Sequence, residues 1–267
     1  MGKRHRASWM SYAGERLLSM RQALRELRVL GKRLVGIEPR VHETVRRPLE
    51  FHGGLAGGWS ILAGSLSASA VVVDVGIGED ASFAESIIRK YGCRVYAFDP
   101  TPRAMEYVRG LKQPRLQLFE RGVGRVPGPS QFFLPSNGHQ VSGSLRGEFH
   151  LRGPAIQVEV VTIGQLFEML RCTRINVLKL DIEGSEYDLL TSPEFQRYAS
   201  AIDQLCIEFH HRWRSLGKDS TLSAVEALTR MGFECAWRCR WTNEEFLFVQ
   251  SVPSDDVKKG RRAEPAH

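Results

Sequence analysis

The sequence predicts an α/β fold built on one mostly parallel sheet, and three observations predict it. From Val71 onward, short apolar runs alternate with stretches of helical periodicity. Those runs are continuous rather than alternating, as strands covered on both faces require. The last two, 233–238 and 245–250, are joined by a turn near Thr242-Asn243 and lie close enough to form an antiparallel hairpin.

The chain has 267 residues, 42% hydrophobic and 25% charged, which is enough for one large domain with a full core. A basic helical extension is expected over 1–50, the α/β domain over 51–252 and a disordered charged tail over 253–267. Between Ser11 and Leu34, Leu17, Leu24, Leu27 and Leu34 recur at helical spacing among arginines, with Met20 and Leu30 beside them. Residues 1–47 hold twelve Lys/Arg against four Glu, a net +8, and the whole chain carries +7, so the remainder is close to neutral at −1. That distribution excludes a basic core that grips nucleic acid, and no specific nucleic-acid partner is expected. The basic helix either packs on the domain or makes peripheral contact with an anionic membrane through residues 1–47.

The first thirty residues never form the continuous apolar stretch of a secretory signal, so a cytoplasmic location is expected. The run from Gly53 to Val73 lacks charge but is full of glycine and serine, and is read as loop and strand rather than a membrane span. Cys93, Cys172, Cys206, Cys235 and Cys239 are odd in number and scattered through apolar stretches, which suits reduced core thiols.

Gly53, Gly54, Gly57 and Gly58 surround Trp59, and backbone this bare can approach a ligand. Beyond them the expected order is strand 71–75, helix 80–90, strand 94–98, helix 102–111 and strand 115–119. Residues 122–154 are rich in Gly, Pro and Ser, with an inserted strand or hairpin at Phe132-Phe133-Leu134. Strand 157–161, helix 163–170, strand 175–180, helices 185–190 and 193–200, strand 203–209 and helix 219–231 then lead into the closing hairpin. A seven-stranded, mostly parallel sheet ending in a hairpin is the pattern of the methyltransferase Rossmann-like fold rather than of a plain dinucleotide fold.

The sharpest chemical signal is Asp74-Val75-Gly76-Ile77-Gly78-Glu79-Asp80 at the exit of strand 71–75. Gly76 and Gly78 permit a tight turn and let a ligand lie on bare backbone above a helix N-terminus. A carboxylate at Asp74 suits the ammonium and sulfonium end of S-adenosylmethionine, whereas a dinucleotide fingerprint has an apolar residue there. Asp99 ends the next strand and can accept both hydroxyls of a ribose, or else cap the helix that starts near Pro102. Two further strand ends, Asp181-Ile182-Glu183-Gly184-Ser185-Glu186 and Glu208-Phe209-His210-His211, should face the same crevice. Asp181, Glu183, His210 and His211 are therefore acid–base candidates, and Asp181, Glu183 and Glu208 are candidate metal ligands. Successive residues of a strand point to opposite faces, so at most one of the two histidines can serve the site.

These blocks resemble the FkbM-type methyltransferases. The resemblance runs from about Gly53 to Val249 through Gly57-Gly58-Trp59, VVVDVGIGEDASF at 71–83, VYAFDPTP at 95–102, Ser142-Gly143-Ser144, VVTI at 160–163 and, above all, LKLDIEGSEYDLL at 178–190. It implies a cofactor site at Asp74, Gly76, Gly78 and Asp99, with Trp59 beside it, and an acceptor pocket edged by Asp181 and Glu183. It also implies O-methylation of a sugar, glycolipid or other small metabolite. The turn common in the family carries an amide where this chain has Glu79-Asp80.

Methyl transfer to an alcohol needs an aligned acceptor and a base for its proton. Asp181 or one of the histidines could be that base, or Mg²⁺ held by Asp181, Glu183 and Glu208 could acidify the hydroxyl. The rival readings are a nicotinamide-dependent oxidoreductase or epimerase, for which no Tyr-x-x-x-Lys pair is present, and a non-catalytic nucleoside-binding adaptor recruited by the basic arm.

Overall fold

The computed structural model describes residues 21–54, 57–136, 143–147 and 153–251. The predicted helical residues 11–20, Ser142 and the tail 253–267 lie outside the described residues. A helix, α1, covers 21–34, and an antiparallel hairpin follows with β1 (Leu49–His52) and β2 (Trp59–Leu62). The glycine cluster forms the turn of that hairpin. At Gly53 (φ +103°) an added Cβ would stand 2.7 Å from the Gly58 Cα, so only glycine fits the crossing.

The alternation then runs β3 (Val71–Val75), α2 (Ser82–Tyr91), β4 (Arg94–Phe98), α3 (Pro102–Leu111) and β5 (Leu116–Phe119). After an insertion, it resumes with α4 (Ile163–Leu170), β9 (Val177–Leu180), α5 (Glu186–Leu190), α6 (Pro193–Tyr198), β10 (Gln204–Glu208), α7 (Gly217–Arg230), β11 (Phe233–Arg238) and β12 (Glu245–Gln250). Seven strands form one sheet in the order β11-β12-β10-β9-β3-β4-β5. β12 alone runs against its neighbours, wedged between β11 and β10 as the second arm of the predicted hairpin.

The apolar runs feed two cores at once. Along β3, Val73 and Val75 enter one cluster while Val72 enters the other; Leu205 and Ile207 part from Cys206 in the same way on β10. Each fully buried valine or leucine contributes on the order of 1.5–3 kcal/mol. α2 covers one face through Phe83, Ala84, Ile87 and Ile88 and ends on Gly92 at φ +67°. α4 starts with a capping box, the Thr162 hydroxyl accepting from Gln165 N and the Gln165 side chain accepting from Thr162 N.

The sequence analysis gives one strand more than the sheet holds, and the surplus strand lies in the insertion. β8 (Ala155–Val161) leaves the main sheet to pair with β7 (Gly128–Phe133) and β6 (Gly122–Val123) in a separate three-stranded sheet. The five cysteines are free thiols, four of them buried. Among the described residues, no helix is long and apolar enough to cross a membrane.

Candidate active site

The strand order reverses between β3 and β9, and the carboxyl ends of parallel strands open a crevice at such a switch. A cavity of about 340 Å³ lies there, lined by Gly57, Gly58, Trp59, Gly76, Gly78, Asp99, Asp181, Glu183 and Glu208 among others. Most of the predicted site residues therefore share one space, brought together from five separate stretches of chain.

The wall at β3 and β4 is bare backbone over a buried ion pair. Asp99 is 5% exposed; its Oδ2 accepts from Gly78 N at 3.0 Å, and its Oδ1 accepts from Thr101 N and Oγ1 at 2.8 and 2.6 Å. Asp99 thus braces the start of α3, and with Oδ1 taken twice, one lone pair on Oδ2 is left to accept from a further donor. Burial raises the Asp99 carboxyl above its ordinary range, and the bonds from Thr101 and Gly78 hold it down in part. Trp59 is 3% exposed and lies beside the Lys179 ammonium, 5.9 Å from the ring centre.

Two expectations change here. Asp74 does not line the cavity: it is fully buried beneath it, paired with Lys179 Nζ at 2.8 Å. Asp74 and Lys179 are cross-strand partners in the β3–β9 register, and both point away from the Val73 face, so the ion pair takes up the carboxylate expected to meet a ligand ammonium. Lys179 also donates to Gly76 O at 3.2 Å, which fixes the turn above it. Burial lowers the ammonium's pKa, but the charges of Asp74, Asp181 and Glu208, with the hydrogen bond to Asp74, together outweigh it and keep Lys179 protonated. Gly76, at φ +79°, is needed for a crossing of backbones: an added Cβ would stand 1.8 Å from Asp181 O. A larger residue there would break the β3–β9 junction as well as fill ligand space.

The wall at β9 and β10 crowds its acids together. Burial raises the Asp181 carboxyl, Lys179 opposes that, and the neighbouring Glu183 charge helps lift it to about 6. Burial and the Asp181 charge likewise raise Glu208 well above its ordinary value. Glu183 adopts φ +50°, an outlying conformation for a non-glycine residue, and its backbone oxygen accepts from Ser144 Oγ at 2.5 Å. That conformation turns the Glu183 carboxylate onto His210 Nε2, at 3.1 Å.

His210 and His211 lie just past the end of β10 and part as expected. His210 Nδ1 stands 3.0 Å from Glu186 Oε1, and Asp181 Oδ1 is 4.0 Å from Nε2. With a carboxylate on each ring nitrogen, burial is outweighed and His210 is held well above its ordinary pKa, as an imidazolium. His211 faces the other way and meets the buried Glu38 at 2.6 Å, away from the cavity lining. Asp181, Glu183 and His210 present ligand atoms within 4.8 Å of one another, so the group that converges contains His210 in place of the expected Glu208.

Sequence reasoning does not single out Lys179 or Glu186. Lys179 could have been found as a cation at the same strand position as Asp74, each alone within an apolar run. Glu186, fully buried with Oε2 unpartnered, gives no such signal, because its partner lies 24 residues away.

No curated protein matches the sequence. Among solved structures, the chain is similar to the methyltransferase FkbM from Methylobacillus flagellatus KT, at 17% identity, with a TM-score of 0.45 over 69% of this chain and 44% of that one. It is also similar to an rRNA methylase from Streptococcus thermophilus, at 16% identity and a TM-score of 0.41 over 71% and 90% of the two chains. A third likeness is to fibrillarin from Aeropyrum pernix, described with natively bound S-adenosyl-L-methionine, at 10% identity and a TM-score of 0.37 over 70% and 68%. The chain thus spans less than half the length of the first of these. The model of the methyltransferase FkbM domain matches residues 72–235, more than half of the chain and all four strand ends around the cavity, and the protein belongs to the FkbM methyltransferase family.

Proposed function

We propose that this protein transfers a methyl group from S-adenosylmethionine to a hydroxyl of a sugar, glycolipid or other small metabolite, with Asp181 as the base. The observation that carries the reading is the single cavity whose one wall is glycine backbone with Asp99 and whose other wall is Asp181, Glu183 and Glu208. The lining suits a sulfonium cofactor better than a dinucleotide. Glu79, Asp80 and Asp99 surround the Gly76–Gly78 turn and would attract a cation, whereas a pyrophosphate placed there would be repelled. Family membership supports the same choice.

When bound, the cofactor supplies an electrophilic methyl carbon; the residues of the chain do the rest. Gly76 and Gly78 expose backbone to the nucleoside, and Asp99 accepts from a ribose hydroxyl through Oδ2. Asp181 takes the acceptor's proton as the new C–O bond forms and the C–S bond breaks. A base must be unprotonated, and a group lifted to about 6 is ionised at neutral pH yet more basic than an ordinary carboxylate. His210 is a poor base because Glu183 and Glu186 keep it charged; it offsets the acid cluster and orients Glu183. Glu208, when protonated, can donate a hydrogen bond to the acceptor oxygen.

We further propose that no Mg²⁺ takes part. An imidazole within the converging group is a poor ligand for a hard, oxygen-seeking cation. The test is labelled-methyl transfer to neutral glycans, glycolipids and lipid extracts, with and without a chelator, beside calorimetry with S-adenosylmethionine and NAD. Transfer that survives chelation supports the reading. Binding of NAD in place of S-adenosylmethionine would overturn it, and cofactor binding without transfer to any acceptor would favour a non-catalytic role.

A further inference from the structure

Helix α1 is docked the wrong way round for a helix that exists to fill a core. At 100° per residue its side chains fall into three stripes. Gln22, Glu26, Val29 and Arg33 share an arc of roughly 60° and face the domain, each at least partly covered, but only Val29 is a buried apolar residue. Leu24, Leu27, Leu30 and Leu34 occupy an arc of roughly 120° on the far side. They are 54%, 64%, 49% and 67% exposed, and the stripe continues into Val35 and Ile37 at 72% and 64%. Arg21, Arg25, Arg28 and Lys32 fill the remaining flank, all exposed.

Water does not favour four outward leucines in a row of turns; such a face marks a contact surface. The cationic flank says which kind. Leucines bordered by a stripe of Arg and Lys make a helix that lies in a lipid interface, its apolar side among acyl chains and its cations level with anionic headgroups. Residues 21–47 hold eight Lys/Arg against Glu26, Glu38 and Glu43. One of those acids is withdrawn from the surface: Glu38 is 2% exposed and bonded to His211, Arg212 and Asn243. Burial raises its carboxyl, but the bonds from His211 and Arg212 hold it at about 2, so the tether stays charged.

That tether is held by several hydrogen bonds. Arg33 donates to Val41 O at 2.9 Å, Thr44 N donates to Cys235 O at 2.8 Å, and Cys235 N donates to the Thr44 hydroxyl at 3.0 Å. The strap over 38–45 is thereby stitched beside the end of β10 and the start of β12, where Glu208 and Glu245 line the cavity. We propose that α1, with Val35 and Ile37, docks on an anionic membrane surface through its leucine face and cationic flank. The proposal is independent of the reaction catalysed.

The test is co-sedimentation of the full chain with vesicles of phosphatidylcholine alone and with added phosphatidylglycerol. Partition only into the anionic vesicles is expected, weakening as salt rises. Leu27→Glu with Leu34→Glu, and separately Arg25→Glu with Arg28→Glu, should each lower the partition coefficient about tenfold or more, with unchanged circular dichroism. Failure of the parent chain to bind anionic vesicles overturns the proposal, as does binding that ignores the leucine pair. So does a lipid-free dimer, seen by sedimentation equilibrium, that Leu27→Glu with Leu34→Glu dissolves, since a second copy would then be what covers the face.

Discussion

The two walls of the cavity hold their acids in different ways. At and beneath the β3–β4 wall the strand-end acids are held in place: Asp74 by Lys179 through one oxygen, and Asp99 by two backbone amides and a hydroxyl. On the β9–β10 wall Asp181, Glu183 and Glu208 crowd together, with His210 against Glu183, and the carboxyls of Asp181 and Glu208 are displaced upward. Groups held in place by such bonds give a preorganised surface for binding. Groups held short of balance can exchange a proton near neutral pH. The difference teaches where recognition ends and chemistry begins within one cavity.

The largest test of that contrast attacks the ion pair under the binding wall. Lys179→Met should cost about 3–5 kcal/mol of folding stability, because it leaves the Asp74 carboxylate buried and unpaired. Adding Asp74→Leu should recover much of the loss. Denaturant unfolding of the single and double variants measures both, and equal loss in the two would mean that the pair is not a unit.

A smaller effect is expected at the rim of the same wall. Asp99→Ala should weaken cofactor binding by about 1.5–3 kcal/mol, the range for a charge-assisted bond, while turnover at saturating cofactor changes far less. Calorimetry beside steady-state rates separates the two terms. Unchanged affinity in a folded variant would remove Asp99 from the ribose role.

The smallest is a pH effect that belongs to the other wall. If Asp181 must be ionised, the rate should be flat above about 6 and fall with each unit below it. The same shift has a stability consequence of opposite sense. A carboxyl raised in the folded state binds protons more readily there than in the unfolded chain, so folding stability should rise as the pH falls through about 6. A rate limb in the ordinary carboxylate range would mean that the acids on this wall do not crowd one another.

Much of this was legible before any coordinates, and the reason is local. The run Val71-Val72-Val73 and the turn at Gly76 and Gly78 are short-range signals that place a strand end, and four such ends suffice to place a cavity. What stayed hidden is paired over distance. Asp74 looks like a ligand-binding acid until Lys179, 105 residues on, is seen beside it. His211 looks equivalent to His210 until Glu38, 173 residues away, claims it. β8 reads as one more strand of the main sheet because its apolar run is like the others, and only its pairing with β7 and β6 assigns it elsewhere. The leucines of α1 leave packing and membrane contact both open, because periodicity reports which residues share a side, not which side is turned inward.

The central claim is that binding and proton transfer sit on different walls of one cavity, and Asp181→Asn tests it most directly. Measured by calorimetry and by labelled-methyl transfer on the same preparation, the variant should bind S-adenosylmethionine within a few-fold of the parent while its turnover falls about 100-fold or more. Turnover close to that of the parent would contradict the account, and so would a loss of cofactor affinity as large as the loss of rate.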